Sequence, residues 1–163
     1  MNDREQGFAD YFASRSGALR GTAYLLCGDW HRAEDLVQSS FVKLYRAWHR
    51  IGAHDTLDAY TRRILVRTYL DENRRGFFFR EKPTADHVES SAPPHGSPED
   101  RLVLLHALAS VPPRQRAVLV LRFWEDQSVE DTARAMGCTE GTVKSQTSRG
   151  LDALRELVPT KTF

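Results

Sequence analysis

The 163-residue chain has few cysteines and no long apolar run, and each shortage removes a class of protein. Its two cysteines, Cys27 and Cys138, do not suggest a disulfide framework, and the Cys and His spacings typical of a metal site are absent. The sequence contains no run of 18 apolar residues and no signal-peptide pattern. We therefore expect a cytoplasmic protein with no membrane segment of its own.

Residues arranged for catalysis are also missing. The six histidines are scattered along the chain, and no nucleophile motif or phosphate-binding loop accompanies them. We expect neither an enzyme activity nor a cofactor or bound metal. The net charge of +1 does not by itself favour a nucleic acid or a membrane as partner.

Helical periodicity dominates what is present in the first half of the chain. Gly28 is placed to end a first helix, and Asp29 to cap a second one from about Trp30 to Trp48. The core-facing stripe predicted for this second helix comprises Ala33, Leu36, Val37, Phe41, Leu44, Tyr45 and Trp48. Its opposite face is either a solvated surface or, because Val42 lies among polar groups, a surface that meets a partner.

A third helix is predicted over about residues 57–75, after a loop at 51–58 and with Thr56 or Asp58 as its cap. Seven basic and three acidic residues lie between positions 60 and 82, so this stretch has a local charge of +4. Basic side chains beside Tyr60, Tyr69 and the phenylalanines at 77–79 suit a nucleic acid. A solvated arginine-rich helix end is the alternative interpretation.

Residues 83–96 contain three prolines and no periodicity, which predicts a flexible linker between two small helical domains. After this linker a helix is expected to begin at Ser97-Pro98, with Leu102, Leu105, Leu108 and Ala109 in its apolar stripe. The next helix is predicted over 114–124, with Val118, Leu121 and Trp124 turned inward. The predicted fold is thus all-α, with domains at 1–82 and 97–163.

The stretch from Ser128 to Leu154 has the signature of a helix-turn-helix. Ser128 is a candidate cap for a helix that ends at Gly137, and Thr139 is a candidate cap for a second helix over 140–157. The polar face predicted for this second helix consists of Lys144, Ser145, Ser148 and Arg149, as a helix in a DNA major groove requires. Five basic and five acidic residues in 128–163 leave an ordinary helical hairpin as the alternative.

These segments, in this order, resemble the extracytoplasmic-function (ECF) group of bacterial RNA polymerase sigma factors. The sequence AEDLVQSSFVKLYRAW (33–48) is similar to the helix with which that family docks on the polymerase clamp. Residues 58–75 resemble the helix that helps read and melt the −10 element, and residues 108–154 resemble the domain that binds the −35 element. YLLCGDWHRAEDLVQ (24–38) is similar to an actinobacterial subgroup often called SigE-like.

The resemblance implies roles for individual residues. Those implied to contact the polymerase are Asp35, Gln38, Ser39 and Val42, although the family commonly has an acid where Ser39 stands. The residues implied to contact the −10 element are His54, Asp55, Arg63 and Arg67. The residues implied to contact the −35 element are Thr142, Lys144, Ser145, Ser148 and Arg149, where Ser148 replaces a larger residue.

The function implied is that of a promoter-specificity subunit. Its partners would be core RNA polymerase, through the β′ clamp and the β subunit, and promoter DNA, with an anti-sigma factor as a further partner that the family allows. A stand-alone helix-turn-helix regulator and a protein that binds polymerase without opening DNA are the rival hypotheses. The first would need a sensing or dimerising module, and residues 8–82 show no ligand-binding fold pattern.

Overall fold

The computed structural model describes residues 2–51, 54–76 and 98–158, and every regular element in these ranges is helical. The predicted all-α fold is confirmed. The elements in chain order are α1 (Asp3–Cys27), α2 (Trp30–Ala47), a 3₁₀ turn (Trp48–Arg50), α3 (His54–Arg75), α4 (Pro98–Ser110), α5 (Pro113–Leu119), a π-helical turn (Val120–Trp124), α6 (Val129–Met136) and α7 (Glu140–Leu157). None of these helices is long and apolar enough to cross a membrane. The predicted linker at 83–96 lies outside the described residues.

Helix α2 begins and packs largely as its pattern predicts. Gly28 takes a left-handed conformation (φ 75°) after α1, and the Asp29 carboxylate accepts a hydrogen bond from the N–H of His31 at 2.8 Å. The apolar stripe of α2 is buried from Ala33 to Leu44. Tyr45 was wrongly expected in the core: it is 51% exposed, and its ring instead meets the edge of Phe8 with 5.0 Å between centroids.

The start of α3 differs from the prediction. The helix begins at His54, so the expected loop at 51–58 is shorter, and Asp58 lies inside the helix instead of capping it. The Asp58 carboxylate accepts a hydrogen bond from the Tyr11 hydroxyl at 2.7 Å and lies 3.2 Å from the Arg15 guanidinium. The side chain is therefore used to fix α3 against α1, a contact that no local pattern reveals.

The stripes predicted for α4 and α5 are only partly correct. Leu108 is buried, but Leu102 is 42% exposed and Ala109 also faces outward. Val118 and Leu121 are fully buried as expected, whereas Trp124 is 45% exposed. Beyond Leu119 the chain continues as a π-helical turn. Because a π turn has a wider repeat than an α-helix, it rotates the following side chains away from the predicted direction.

The helix-turn-helix forms with the predicted bounds and caps. The Ser128 side chain accepts from the N–H of Asp131, and the Thr139 side chain accepts from the N–H of Thr142. Gly137, between the two helices, has φ 67°, which glycine adopts without strain.

The two halves of the chain also pack on each other, because Leu26 of α1 and Leu119 of α5 belong to one hydrophobic cluster.

Candidate functional site

Helix α7 presents a continuous polar face to the outside. The side chains of Lys144, Ser145, Ser148 and Arg149 are all exposed, and at 100° per residue they span an arc of about 140°. Thr142, the fifth predicted residue, is half-buried, with its hydroxyl 2.9 Å from that of Thr139 at the cap. The structure thus gathers the four long or polar side chains on one face and leaves Thr142 at the end of the helix.

The buried side of α7 fixes this face in place. Val143 is fully buried, and Gly150 approaches α5 so closely that a Cβ there would lie 2.9 Å from Cδ1 of Leu119. Since the buried and exposed residues lie on opposite sides, α7 cannot rotate without exposing its apolar contacts. A helix whose apolar side is fixed in the core and whose polar side is exposed can enter a major groove without turning about its own axis.

A second exposed face lies on α2. Asp35 and Gln38 are exposed, Ser39 is half-buried, and Val42 is 51% exposed. The opposite side of the helix carries the buried residues Leu36 and Leu44, so these four predicted residues share one outward-facing strip. The strip therefore carries one exposed apolar side chain among polar groups.

The basic side chains of α3 form the third candidate surface. Arg63 and Arg67 are both exposed. The guanidinium of Arg67 contacts the turn of the helix-turn-helix. Its Nη2 atom lies 3.0 Å from the position that a Cβ would take on Gly137. The side chains of His54 and Asp55, the other two predicted residues, lie outside the described residues.

An apolar groove between the two halves was not foreseen from the sequence. It has a volume of about 340 Å³, and its walls come from α1 and α2 on one side and from α4, α5, the π turn and α7 on the other. Phe123, which lines it, is 60% exposed. Trp30 Nε1 and Arg101 Nε, on residues that line the groove, are buried and lack a hydrogen-bond partner among the described residues. The adjacent aromatic residues Phe123 and Trp124 are the one signal that the sequence offered, although Trp124 was predicted to turn inward.

The Cys27 thiol lies at the C-terminal end of α1 and is partly buried. Burial raises the pKa of the Cys27 thiol to about 12, so this group is not a thiolate at neutral pH. No three His, Cys, Asp or Glu side chains within the described ranges are grouped as a metal site requires.

Sequence profiles match both halves of the chain. The profile described as "Sigma-70 region 2" matches residues 12–76, and that described as "Sigma-70, region 4" matches residues 101–154. The "RNA polymerase sigma-E factor" of Streptomyces avermitilis is 39% identical over 153 residues, which cover 91% of this chain and 83% of the relative. The protein of the same description from Streptomyces coelicolor is 39% identical over 152 residues and is covered to 84%.

The chain belongs to the sigma-70 family of RNA polymerase sigma factors, in the ECF group. Its function is that of a sigma factor, which joins core RNA polymerase in promoter-specific transcription initiation, and a stand-alone regulator is not favoured. The region 2 match contains the α2 and α3 surfaces, and the region 4 match contains the exposed face of α7.

Two solved structures share the fold. The sigma factor RpoE in complex with the anti-sigma factor NepR from Bartonella quintana has a TM-score of 0.76 and 28% identity, over 93% of this chain and 96% of RpoE. CnrH in complex with the cytosolic domain of CnrY has a TM-score of 0.67 and 21% identity, over 94% of this chain and 88% of CnrH. The second likeness concerns the fold alone.

Proposed function

We propose that this sigma factor docks on the polymerase clamp through α2 and contacts promoter DNA through α7 and α3. The observation that supports the proposal best is the exposed face of α7, whose four polar residues lie opposite the buried Val143 and Gly150. A major groove admits one helix, and its base edges are read by side chains of this kind. The −35 element is the natural target for this face, since it lies in the region 4 segment.

Arg149 is the side chain with the greatest capacity for sequence reading. A guanidinium that donates two hydrogen bonds to one guanine discriminates against other bases by about 1–3 kcal/mol. Arg149→Ala should therefore weaken binding to a preferred −35 duplex by that amount and relax the preference at one position. Arg155→Ala is the matched control, because Arg155 is also exposed on α7 but lies beyond the four-residue face. An equal loss on every DNA sequence would make Arg149 a phosphate contact.

The α2 surface is proposed to bind the β′ clamp. A double substitution, Asp35→Ala with Gln38→Ala, removes two exposed polar groups without touching the core, so the fold should be kept while affinity for core polymerase falls. Glu34→Ala is the control on the same helix, since its exposed ion pair with Arg20 is of a kind that contributes little to stability. Unchanged affinity of the double variant, measured by titration with core polymerase, would exclude the clamp assignment.

The α3 surface is proposed to favour strand opening at the −10 element. Arg63 and Arg67 supply exposed positive charge for the DNA backbone, and capture of unstacked bases would offset an unpairing cost of a few kcal/mol.

The whole proposal is tested by transcription with core polymerase and the purified chain, which should yield transcripts that depend on both promoter elements. If the chain binds polymerase and yields no such transcripts, it is a decoy and not an initiation factor.

An anti-sigma factor is the proposed partner of the apolar groove. RpoE, which shares the fold and 28% of the aligned sequence, was solved with an anti-sigma factor bound. The exposed Phe123 and Trp124 can bury apolar side chains of such a partner. We place the protein in the cytoplasm, where the polymerase is, and assign it no catalytic step of its own.

A further inference from the structure

The two halves of the molecule are joined by polar contacts at the last turns of α1. Nη1 of Arg116, on α5, donates a hydrogen bond of 2.7 Å to the carbonyl oxygen of Leu26. One turn earlier, the hydroxyl of Thr22 donates to the Glu125 carboxylate at 2.6 Å. We call these two bonds the α1 joint. They are specific links between residues that the two family segments contribute, separate from the apolar packing between them.

Arg116 is unusual because one side chain caps two helices. Its other nitrogens donate to the carbonyl oxygen of Ala109 at 2.8 Å and to that of Val111 at 2.8 and 3.2 Å. Leu26 and Ala109 lie in the last turns of α1 and α4, where carbonyl groups lack partners within the helix. Neither helix has a basic residue in its last turn. The guanidinium therefore supplies positive charge to two helix C-termini, one in each half.

Burial makes this arrangement sensitive to separation of the halves. Arg116 is only 9% exposed, and none of the ion pairs in the described part of the chain includes it. Its charge is balanced by three carbonyl groups, one of which belongs to the other half. When the halves separate, Nη1 and the Leu26 carbonyl must each form a hydrogen bond with water instead. The bond between them therefore favours, by a moderate amount, the closed form, in which the two halves are packed together.

The closed form is too compact for the proposed contacts with promoter DNA. Arg67 of the −10 surface lies against Gly137, which is three residues before α7 begins. The −35 and −10 elements are named for positions about 25 base pairs apart, or ~85 Å of duplex at 3.4 Å per base pair. On the proposed function, α3 and α7 cannot reach both elements until the halves move apart.

We propose that the α1 joint is a latch: Arg116 and Thr22 hold the free protein closed, and promoter engagement requires both bonds to break. Arg116 acts as a positioning residue, since it need not touch DNA or polymerase. The strength of one hydrogen bond from a charged group suits such a device, because a partner that binds the open form can overcome it.

The latch can be tested on the full chain with Cys27 as a native reporter. Cys27 follows Leu26, and its partly buried side chain lies near Arg116, so its rate of labelling should follow the fraction of open molecules. In a Cys138→Ser background, Arg116→Lys should accelerate labelling of Cys27 about tenfold, because lysine cannot donate to three separated carbonyl groups at once. The radius of gyration from X-ray scattering should increase as well. Arg114→Lys, on the exposed side of α5, should change neither quantity.

Local unfolding at α4 and α5 is a competing explanation for any change in the labelling rate of Cys27 in Arg116→Lys. Thr22→Val controls for it, because valine keeps the shape of threonine and removes only the hydroxyl that reaches Glu125; we expect labelling about threefold faster. Circular dichroism and thermal unfolding verify that each variant is folded. The proposal is overturned if Cys27 in folded Arg116→Lys and in Thr22→Val reacts at the wild-type rate.

Failure of the latch can be distinguished from failure of the proposed function. With limiting sigma factor and core polymerase, Arg116→Lys should form more complex on a promoter with both elements, by at most about tenfold. Faster labelling without any gain in promoter complexes would leave the latch standing and would overturn the link to the two DNA surfaces. A gain in promoter complexes without faster labelling would overturn the latch.

Discussion

Aromatic rings surround Phe41 in the N-terminal half, whereas a glycine lets two helices of the C-terminal half approach closely. Phe41 of α2 meets the rings of Phe8, Tyr11 and Phe12 with centroids 4.7–6.3 Å apart. In the C-terminal half, Gly150 of α7 lies so near α5 that a Cβ there would be 2.9 Å from Cδ1 of Leu119. The first core should therefore suffer most from lost volume and the second from added volume.

Removal of a ring from the aromatic core should have the largest effect. Phe41 is 3% exposed, so Phe41→Ala should lower the free energy of unfolding by about 3–5 kcal/mol. The adjacent Val42 is 51% exposed, and Val42→Ala should change it by less than about 0.5 kcal/mol. Denaturant titration measures both. A small loss for Phe41→Ala would show that the rings do not carry this core.

Added volume at the close helix contact should come second. Gly150→Val forces Leu119 away from α7, and overpacking of this kind costs about 1–3 kcal/mol. Gly141→Ala on the same helix meets only the Thr139 hydroxyl oxygen at 3.9 Å and should leave stability unchanged or slightly higher. If both variants unfold at the same denaturant concentration, the contrast between the two cores is wrong.

Loss of a helix cap should have a smaller effect. Thr139 accepts from the N–H of Thr142 at 3.1 Å, so Thr139→Ala should lower the free energy of unfolding by about 1 kcal/mol. Thr139→Ser keeps the oxygen and should stay close to the wild type. Denaturant titration of the full chain is again the measurement, and equal losses in the two variants would argue against the cap.

The caps also explain why the C-terminal helix pair was predicted so well. Ser128, Gly137 and Thr139 act within three residues of their own positions, so the bounds of α6 and α7 could be determined from the sequence alone. The exposed residues of α7 follow from the same periodicity. Local side-chain and backbone geometry is sufficient there.

Elsewhere the deciding contacts are distant in sequence. The start of α3 is tied to Tyr11, 47 residues from Asp58, and the capping role of Arg116 depends on a carbonyl 90 residues away. The exposure of Trp124 follows from a π turn that no residue type in the sequence predicts. The clamp-facing and −10 assignments came from the family resemblance, since charge and periodicity left a solvated surface as an alternative for each. The polar face of α7 was predicted from the helix-turn-helix pattern, with an ordinary helical hairpin as the alternative, and the resemblance supplied the −35 element as its target.

The contact between Tyr11 and Asp58 provides the most subtle test, through the pH dependence of stability. Burial raises the pKa of Tyr11 to about 12 from an ordinary value of 10.0; Asp58 adds to the rise, whereas the Thr61 hydrogen bond and the charge of Arg15 oppose it. The folded state therefore resists loss of this proton, and the associated stability is present below pH 10 and is lost as the pH rises from 10 to 12. Tyr11→Phe cannot ionise, so its free energy of unfolding should fall less steeply over that interval.

Part of the decrease in the free energy of unfolding with pH should remain in Tyr11→Phe, because burial also raises the pKa values of Tyr24 and Tyr69. At pH 7 the variant should lose only the hydrogen bonds of one hydroxyl, about 1 kcal/mol. Denaturant titrations at pH 7, 10 and 11.5 separate the two effects. Parallel curves for the variant and the wild type would mean that Tyr11 titrates alike in the folded and unfolded chains, and that the Tyr11–Asp58 bond does not stabilise the packing of α3 on α1.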